Sequence, residues 1–231
     1  MIQFGTKAET LCKLRNKLKY ANVLPEIHFE VREWIHDPDK YYQQCLDIWN
    51  DIQVIIRSSA INEDTQEESC AGKFESVANV MLRDRQMFDD AVRTVINSYI
   101  DDNENNQVLI QPMLMNVKLC GVAFTLDPNS HGNYYVINYD EYGSTSSITA
   151  GNGERYRLLY VFKGMEIKNG PNYVTKICTA LKELEELFGQ NNLDVEFAVD
   201  NGGGIYSPSQ TIVYSWSCSR LSDSISGTEK N

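Results

Sequence analysis

Helical and extended hydrophobic patterns alternate along this chain. Apolar residues recur at helical spacing in segments 7–20, 84–100 and 173–188, and residues 39–51 predict a further helix. Short apolar runs rich in β-branched residues predict strands, which cover 54–57, 76–82, 107–113, 119–126, 134–139, 157–162 and 194–199. Several of these strands follow one another as hairpins, which a doubly wound parallel sheet does not contain. The pattern therefore predicts an α+β fold with two lobes around a cleft.

Composition and charge narrow the classes of function. The chain has 231 residues, with 21 basic and 32 acidic side chains and a net charge of −11. This acidic balance disfavours nucleic acid or an anionic membrane as the main partner. The sequence contains neither an apolar run long enough for a transmembrane helix nor the pattern of a signal peptide. Its six cysteines form no C-x-x-C pair, so we expect neither a zinc site nor a disulfide scaffold, and we expect the cytoplasm.

A polar loop after the strand at 54–57 is the first candidate site. The strand ends at Arg57, and the loop continues through Ser58 and other small or hydroxyl-bearing residues to Ala71 and Gly72. A guanidinium, hydroxyl groups and exposed backbone N–H groups are the donors that a polyphosphate binds. The loop does not contain a Walker sequence, however, and the same residues are also suited to capping backbone carbonyl groups or a helix.

A pair of carboxylates forms the second candidate. Asp194 and Glu196 alternate with apolar residues, so both side chains face the same side of a strand. Two carboxylates on one face repel each other unless a cation lies between them, and Mg²⁺ that bridges ATP phosphates is such a cation. The alternative is an amphipathic edge strand with two solvated acids.

Two weaker signals accompany these candidates. Gln111 and Met113 end an apolar strand, where an amide can contact an adenine edge and a thioether can pack on its face, although a core hairpin has the same pattern. Lys7 stands at the start of the first predicted helix, where a cation is electrostatically unfavourable and ordinarily projects into water. A bound anion would make that position favourable.

The order of these motifs is more specific than any single motif. Gly-x-Lys precedes Ile-Arg-Ser-Ser-Ala, Ala-Gly, Gln-x-Met, Gly-Val-Ala-Phe-Thr-Leu-Asp-Pro and Asp-x-Glu. The series closely resembles the ATP-binding domain of the phosphoenolpyruvate synthase / pyruvate phosphate dikinase family. The resemblance implies an ATP-grasp-like fold that binds ATP and Mg²⁺ between two lobes, with residues 1–206 as that domain.

The resemblance also implies roles for individual residues. Lys7 and Arg57 would contact phosphates and serve catalysis, and Gln111 would lie near adenine. Glu196 would ligate the metal, with Asp194 close by. The implied nucleotide-binding set is Lys7, Arg57, Ser58, Ala71, Gly72, Gln111, Met113 and Thr125.

In the family, a separate histidine domain takes a pyrophosphoryl group from ATP and the phosphoryl group then passes to an acceptor. The acceptor is pyruvate, a glucan, rifampicin or the side-chain amide of glutamine in capsule biosynthesis. The segment Phe4–Leu11 is most similar to the capsule-associated kinases. The sequence contains neither the histidine domain nor the acceptor domain, so we expect a truncated phosphotransferase that is inactive alone. A non-catalytic nucleotide-binding module or half of a split enzyme is the alternative.

The last part of the chain departs from the family pattern. The family has Gln-x-Arg-Pro after Asp-x-Glu, whereas Ile212 stands here where the arginine is needed. Codons exist for Ile205 to Val213 that, read one base later, encode Phe-Ile-Leu-Gln-Val-Arg-Pro-Leu. We therefore hypothesise a frameshift near residue 205 and expect residues 207–231 to form an aberrant, disordered tail.

Overall fold

The computed structural model describes residues 1–61, 74–115, 117–140, 156–165, 171–200 and 212–214. Helices are α1 (Lys7–Leu14), α2 (Val31–His36), α3 (Pro38–Trp49), α4 (Arg85–Asn97) and α5 (Asn172–Phe188). The first strands are β1 (Asn22–Val23), β2 (Ile27–Glu30), β3 (Gln53–Ser59), β4 (Ser76–Met81) and β5 (Gln107–Pro112). The remaining strands are β6 (Val117–Phe124), β7 (Tyr134–Asp140), β8 (Tyr156–Phe162), β9 (Asp194–Asp200) and β10 (Ile212–Tyr214).

The larger sheet has the strand order β1-β10-β9-β6-β7-β8. Its strands pair antiparallel except for β1 and β10, which run parallel. One face of this sheet packs on α1 and α5, whose apolar stripes include Leu11 and Leu181. Strand residues such as Ile137, Val195 and Phe197 point into the same core. Side chains on the opposite face of the larger sheet point away from this core.

The smaller sheet has the strand order β2-β5-β3-β4 and is antiparallel throughout. Its core is separate from that of the larger sheet and contains Phe29, Ile56 and Ile110 from the strands. Helices α2, α3 and α4 cover this core, with Trp34 and Phe88 among the packed aromatic residues. The α+β fold with two lobes that the hydrophobic pattern predicts is therefore confirmed.

Helix α1 is shorter than predicted, ending at Leu14 rather than near residue 20. The carboxylate of Glu183, from α5, accepts hydrogen bonds from the backbone N–H groups of Lys19 and Tyr20 at 2.8 and 3.1 Å. These bonds satisfy backbone groups that a continued helix would have used, so a contact across 164 residues of sequence ends the helical region.

Three further elements lie where the sequence analysis predicts neither a helix nor a strand. Strand β2 and helix α2 were not predicted, because Ile27 and Phe29 give only two buried positions before the helix begins. Strand β10 lies within the segment 207–231 that we expect to be a tail, and its backbone pairs with both β1 and β9. The rest of that segment lies outside the described residues, so the boundary at residue 206 stays a prediction.

Within the described ranges, no helix is both long enough and apolar enough to cross a membrane.

Candidate functional site

The smaller sheet carries the candidate phosphate residue on the face opposite its own core. Val54 and Ile56 of β3 point into the core, so Ile55 and Arg57 take the other face. Gln111 of β5 lies directly opposite Ile55 in the strand register and therefore shares the face of Arg57. Two candidates from separate strands, one for phosphate and one for adenine, thus lie on a single surface.

The larger sheet presents the paired carboxylates in the same way. Val195 and Phe197 of β9 point into the core, so Asp194 and Glu196 lie on the opposite face, where β6 places Phe124 and Val122 across from them. The alternation that the sequence predicts for this strand is therefore present.

A direct contact joins these two faces. The Nη2 atom of Arg57 donates a hydrogen bond to Oε2 of Glu196 at 3.2 Å, although the residues are 139 positions apart. The side chain of Arg57 is 13% exposed and that of Glu196 is 26% exposed, so solvent screens this ion pair less than a surface pair. The contact places the predicted phosphate cation and the predicted metal carboxylate in one cleft.

Lys7 lies beside this cleft rather than in open solvent. It is only 8% exposed, and its Nζ atom lies 3.5 Å from the backbone oxygen of Ser58, the residue after Arg57. A buried ammonium group is costly unless polar groups surround it, and the Ser58 carbonyl is one of those groups. The structure therefore brings Lys7 close to Ser58 and its neighbour Arg57, while their contact with phosphate stays a prediction.

A set of hydrogen bonds, which we call the polar seam, attaches the start of α1 to the smaller sheet. The Oγ1 atom of Thr6 donates to Oε1 of Gln107 at 2.6 Å, and Nε2 of Gln107 lies 3.5 Å from Oε1 of Glu9. The backbone N–H of Ala8 donates to Oγ of Ser59 at 2.9 Å. Sequence reasoning missed the seam, although Thr6-x-x-Glu9 has the spacing of a capping box and would have located the helix start.

Gln111 is buried in an unusual way. Its side chain is fully buried, and neither Nε2 nor Oε1 has a hydrogen-bond partner among the described residues. Leaving a buried amide unsatisfied costs roughly 1–3 kcal/mol, so such groups in native proteins call for an explanation. A side-chain amide can donate and accept at once to the edge of an adenine base.

Thr125 and Met113 have backbone roles that the sequence did not predict. Thr125 is fully buried and exchanges two hydrogen bonds with Leu193: its N–H donates at 2.8 Å, and its Oγ1 accepts at 2.7 Å. Because Leu193 precedes Asp194, Thr125 fixes the start of the strand that carries the carboxylates. Met113 is half-buried, and its backbone N–H donates to the carbonyl of Gln53 at 2.9 Å.

Residues 7–155 match the family model of the pyruvate phosphate dikinase AMP/ATP-binding domain. The chain belongs to this family. The match confirms the resemblance seen in the ordered motifs and supports a nucleotide-binding domain. It ends before β9, so the placement of Asp194 and Glu196 in this domain depends on the tertiary structure.

Solved structures that resemble the structure of this chain include two ligases. The D-alanine-D-alanine ligase from Helicobacter pylori has a TM-score of 0.49 and 13% identity, covering 94% of this chain and 54% of the ligase. The VanG D-Ala:D-Ser ligase from Enterococcus faecalis has a TM-score of 0.48 and 11% identity, covering 93% and 51%. The chain thus spans about half the length of these ligases.

A third solved structure, PH1788 from Pyrococcus horikoshii, has a TM-score of 0.49 and 13% identity, covering 90% of this chain and 86% of that one. No curated protein matches the chain.

The donor set in this AMP/ATP-binding domain fits a magnesium ion that binds together with nucleotide. Asp194 and Glu196 offer two carboxylates on one face, and no cluster of three or more metal-binding side chains occurs in the described part of the chain. Mg²⁺ is commonly held by one or two carboxylates plus substrate phosphates rather than by a complete protein cage. Glu196 and Asp194 could therefore hold such an ion once phosphate oxygens complete the coordination.

A cysteine of β6, Cys120, also lies on the cleft face. Cys120 lies opposite Ala198 and Asp140 in the strand register, two positions before Val122. Burial, with a smaller effect from Asp140, raises the pKa of the Cys120 thiol to about 11. This raised pKa favours the neutral thiol form of Cys120 at physiological pH.

The remaining predicted phosphate residues lie outside the described part of the chain. Ala71 and Gly72 fall in segment 62–73, for which the structure gives no description. Their predicted backbone contacts with phosphate stay a prediction.

Proposed function

We propose that this domain binds Mg²⁺-ATP in the cleft between its two sheets, as part of a phosphoenolpyruvate synthase-like kinase. In that kinase, a phosphohistidine domain would receive the group transferred from ATP, and the phosphoryl group would pass to a small acceptor. The contact between Arg57 and Glu196 carries the proposal. In this contact, a guanidinium, which is a group that commonly binds phosphate, meets a carboxylate, which is a group that commonly binds metal ions. Both groups belong to a member of an AMP/ATP-binding family.

Each candidate residue would have a defined task in this cleft. Arg57 and Lys7 would neutralise phosphate charge, and Glu196 with Asp194 would hold the metal. The metal, when bound, would neutralise charge on the phosphate oxygens. Gln111 would contact the adenine edge. Catalysis by this domain would consist of positioning and charge stabilisation, without a covalent intermediate on the domain itself.

The acceptor and the partner domains extend the proposal beyond this chain. The similarity of Phe4–Leu11 to the capsule-associated kinases favours the side-chain amide of glutamine as the acceptor. The histidine and acceptor domains would be supplied by other chain segments or by another polypeptide. We place the domain boundary near residue 206 and the protein in the cytoplasm, with neither nucleic acid nor a membrane as partner.

Isothermal titration of the purified chain with ATP, with and without Mg²⁺, tests the proposal. We expect binding in the presence of Mg²⁺ and no phosphoryl transfer to glutamine or pyruvate by the chain alone. Complete transfer by this chain would contradict the need for a histidine domain.

A pair of arginine variants separates the site from general charge effects. Arg57→Gln should weaken Mg²⁺-ATP binding by about 10-fold or more, the loss expected for a charge-assisted contact to phosphate. Arg83→Gln removes the same charge from a side chain that is 69% exposed and should leave binding unchanged. Equal effects of the two substitutions would contradict a specific role for Arg57.

A further inference from the structure

The contact between Arg57 and Glu196 occupies two groups that the proposed function assigns to different ligands. Arg57 is the proposed phosphate cation, and Glu196 is the proposed metal carboxylate, yet the two lie 3.2 Å apart and bind each other. We infer that this ion pair makes the cleft selective for metal-complexed nucleotide over metal-free nucleotide. The inference rests on the proposed function and adds the form of the substrate that the site accepts.

A polyphosphate without metal meets an unfavourable site. The charge of Arg57 is already compensated by Glu196, and both groups are partly withdrawn from solvent. Asp194 lies on the same face of β9 and adds a second negative charge. Phosphate oxygens must therefore compete with a carboxylate for Arg57 while that carboxylate and its neighbour repel them.

A metal-complexed nucleotide meets the opposite situation. Glu196, once engaged by a divalent cation, would no longer compensate the charge of Arg57, so phosphate would compete with one carboxylate fewer for the guanidinium. By thermodynamic linkage, the coupling is reciprocal: metal increases the affinity for nucleotide by the same factor by which nucleotide increases the affinity for metal. The scarcity of metal ligands fits this scheme, because no third carboxylate, histidine or cysteine completes a metal cluster among the described residues.

The direct test measures binding without any metal. ATP and inorganic triphosphate are titrated in the presence of EDTA into the wild-type chain and into Glu196→Gln. We expect the variant to bind both anions about 10-fold more tightly than the wild type, within the usual range of coupling between sites. It should also lose most of the increase in ATP affinity that Mg²⁺ gives to the wild type.

A charge-matched control distinguishes release of Arg57 from a general loss of negative charge. The substitution Asp200→Asn removes one carboxylate from the same side of the same strand, four positions from Glu196. Its affinity for metal-free triphosphate should stay within about 2-fold of the wild-type value, as expected for a screened charge at this distance. An equal gain in Asp200→Asn and Glu196→Gln would overturn the inference.

A double variant tests whether Arg57 mediates the gain. In an Arg57→Gln background, Glu196→Gln should improve triphosphate binding by a smaller factor than it does in the wild-type background, because only the relief of charge repulsion remains. Reciprocally, Arg57→Gln alone should bind Mn²⁺ more tightly than the wild type, measured by electron paramagnetic resonance without nucleotide. A gain from Glu196→Gln that is equally large without Arg57, or unchanged Mn²⁺ affinity in Arg57→Gln, would overturn the inference.

The outcomes also separate this inference from the proposed function. If the wild type binds Mg²⁺-ATP but Glu196→Gln gains nothing for metal-free anions, only the selectivity mechanism fails. If neither the wild type nor any variant binds ATP under any condition, while thermal unfolding shows that all of them are folded, both the selectivity mechanism and the proposed function are wrong.

Discussion

The hydroxyl of Thr6 donates a 2.6 Å hydrogen bond to the side-chain oxygen of Gln107, 101 residues further along the chain. The bond links α1, which packs in the core of the larger sheet, to β5 of the smaller sheet. Thr6 also caps α1, since its Oγ1 accepts from the backbone N–H of Glu9. One side chain therefore starts the helix and fixes it against the other lobe, next to Lys7.

Replacing Thr6 with valine tests this double role. Thr6→Val removes both the cap and the bond to Gln107, and we expect the free energy of unfolding to fall by about 1–3 kcal/mol. Urea unfolding measures the change. Thr6→Ser keeps a hydroxyl and should retain most of the stability, so an equal loss in both variants would contradict the assignment of this stability to the hydroxyl.

Replacing Thr125 tests the anchoring of β9. Thr125→Val keeps the shape but leaves the backbone N–H of Leu193 without its 2.7 Å acceptor, at a cost of about 1–3 kcal/mol. Because this bond precedes Asp194, we also expect weaker Mg²⁺-ATP binding in titration calorimetry. Thr125→Ser serves as the control and should behave like the wild type. A stable Thr125→Val chain with unchanged binding would contradict the anchoring role.

The buried amide of Gln111 predicts opposite effects on stability and on binding. Gln111→Met keeps the length of the side chain and removes two buried polar atoms without partners, so we expect unfolding to require about 1–2 kcal/mol more. Binding of ATP should weaken while binding of inorganic triphosphate with Mg²⁺ stays the same, because only ATP has an adenine edge.

The same substitution at Gln107 is the matched control for Gln111. The amide oxygen of Gln107 accepts from Thr6, so Gln107→Met should destabilise the protein instead. Thermal unfolding of the two variants side by side gives the comparison. If both substitutions shift the midpoint in the same direction, hydrogen-bond satisfaction is not what distinguishes the two positions.

Gly121 is required by the close approach of β6 and β7. A Cβ atom at this position would lie 2.2 Å from the backbone oxygen of Asn138 and 2.9 Å from the Cα atom of Tyr139. Since backbone atoms cannot rotate away, Gly121→Ala should lower the free energy of unfolding by about 3 kcal/mol or more. Gly164→Ala is the control, because its nearest contacts are ring atoms of Phe162, which can move. Similar stabilities for the two variants would contradict this account.

The pH dependence of stability should depend on His28. Burial lowers the pKa of His28 below its ordinary value of 6.5, although Glu9 and Glu33 act in the opposite direction. The unfolded state therefore binds the proton more readily, so the stability that neutral His28 supports is present above pH 6.5 and is lost as the pH falls through the lower pKa of the folded state.

Urea unfolding between about pH 7.5 and pH 5 compares the wild type with His28→Gln. The variant should lose less stability over this interval than the wild type does. His36→Gln, which changes an exposed histidine, should follow the wild-type curve. Parallel curves for the wild type and His28→Gln would contradict the lowered pKa.

Local patterns determined most of the secondary structure and both main candidates. The helices α3, α4 and α5 follow the predicted segments closely, because each has a continuous apolar stripe that is readable over three or more turns. The alternation at Asp194 and Glu196 fixed their common face, because side-chain direction in a strand has a strict period of two. The order of the motifs determined the family.

Only the tertiary structure decided which of these residues meet. Arg57 contacts Glu196 across 139 residues of sequence, the carboxylate of Glu183 ends the α1 region, and Thr125 anchors the start of β9. Each of these contacts depends on strand register and on how the two lobes pack, which no local pattern encodes. For the same reason, the sequence identified Gln111 as a candidate but could not reveal that its amide is buried without a partner.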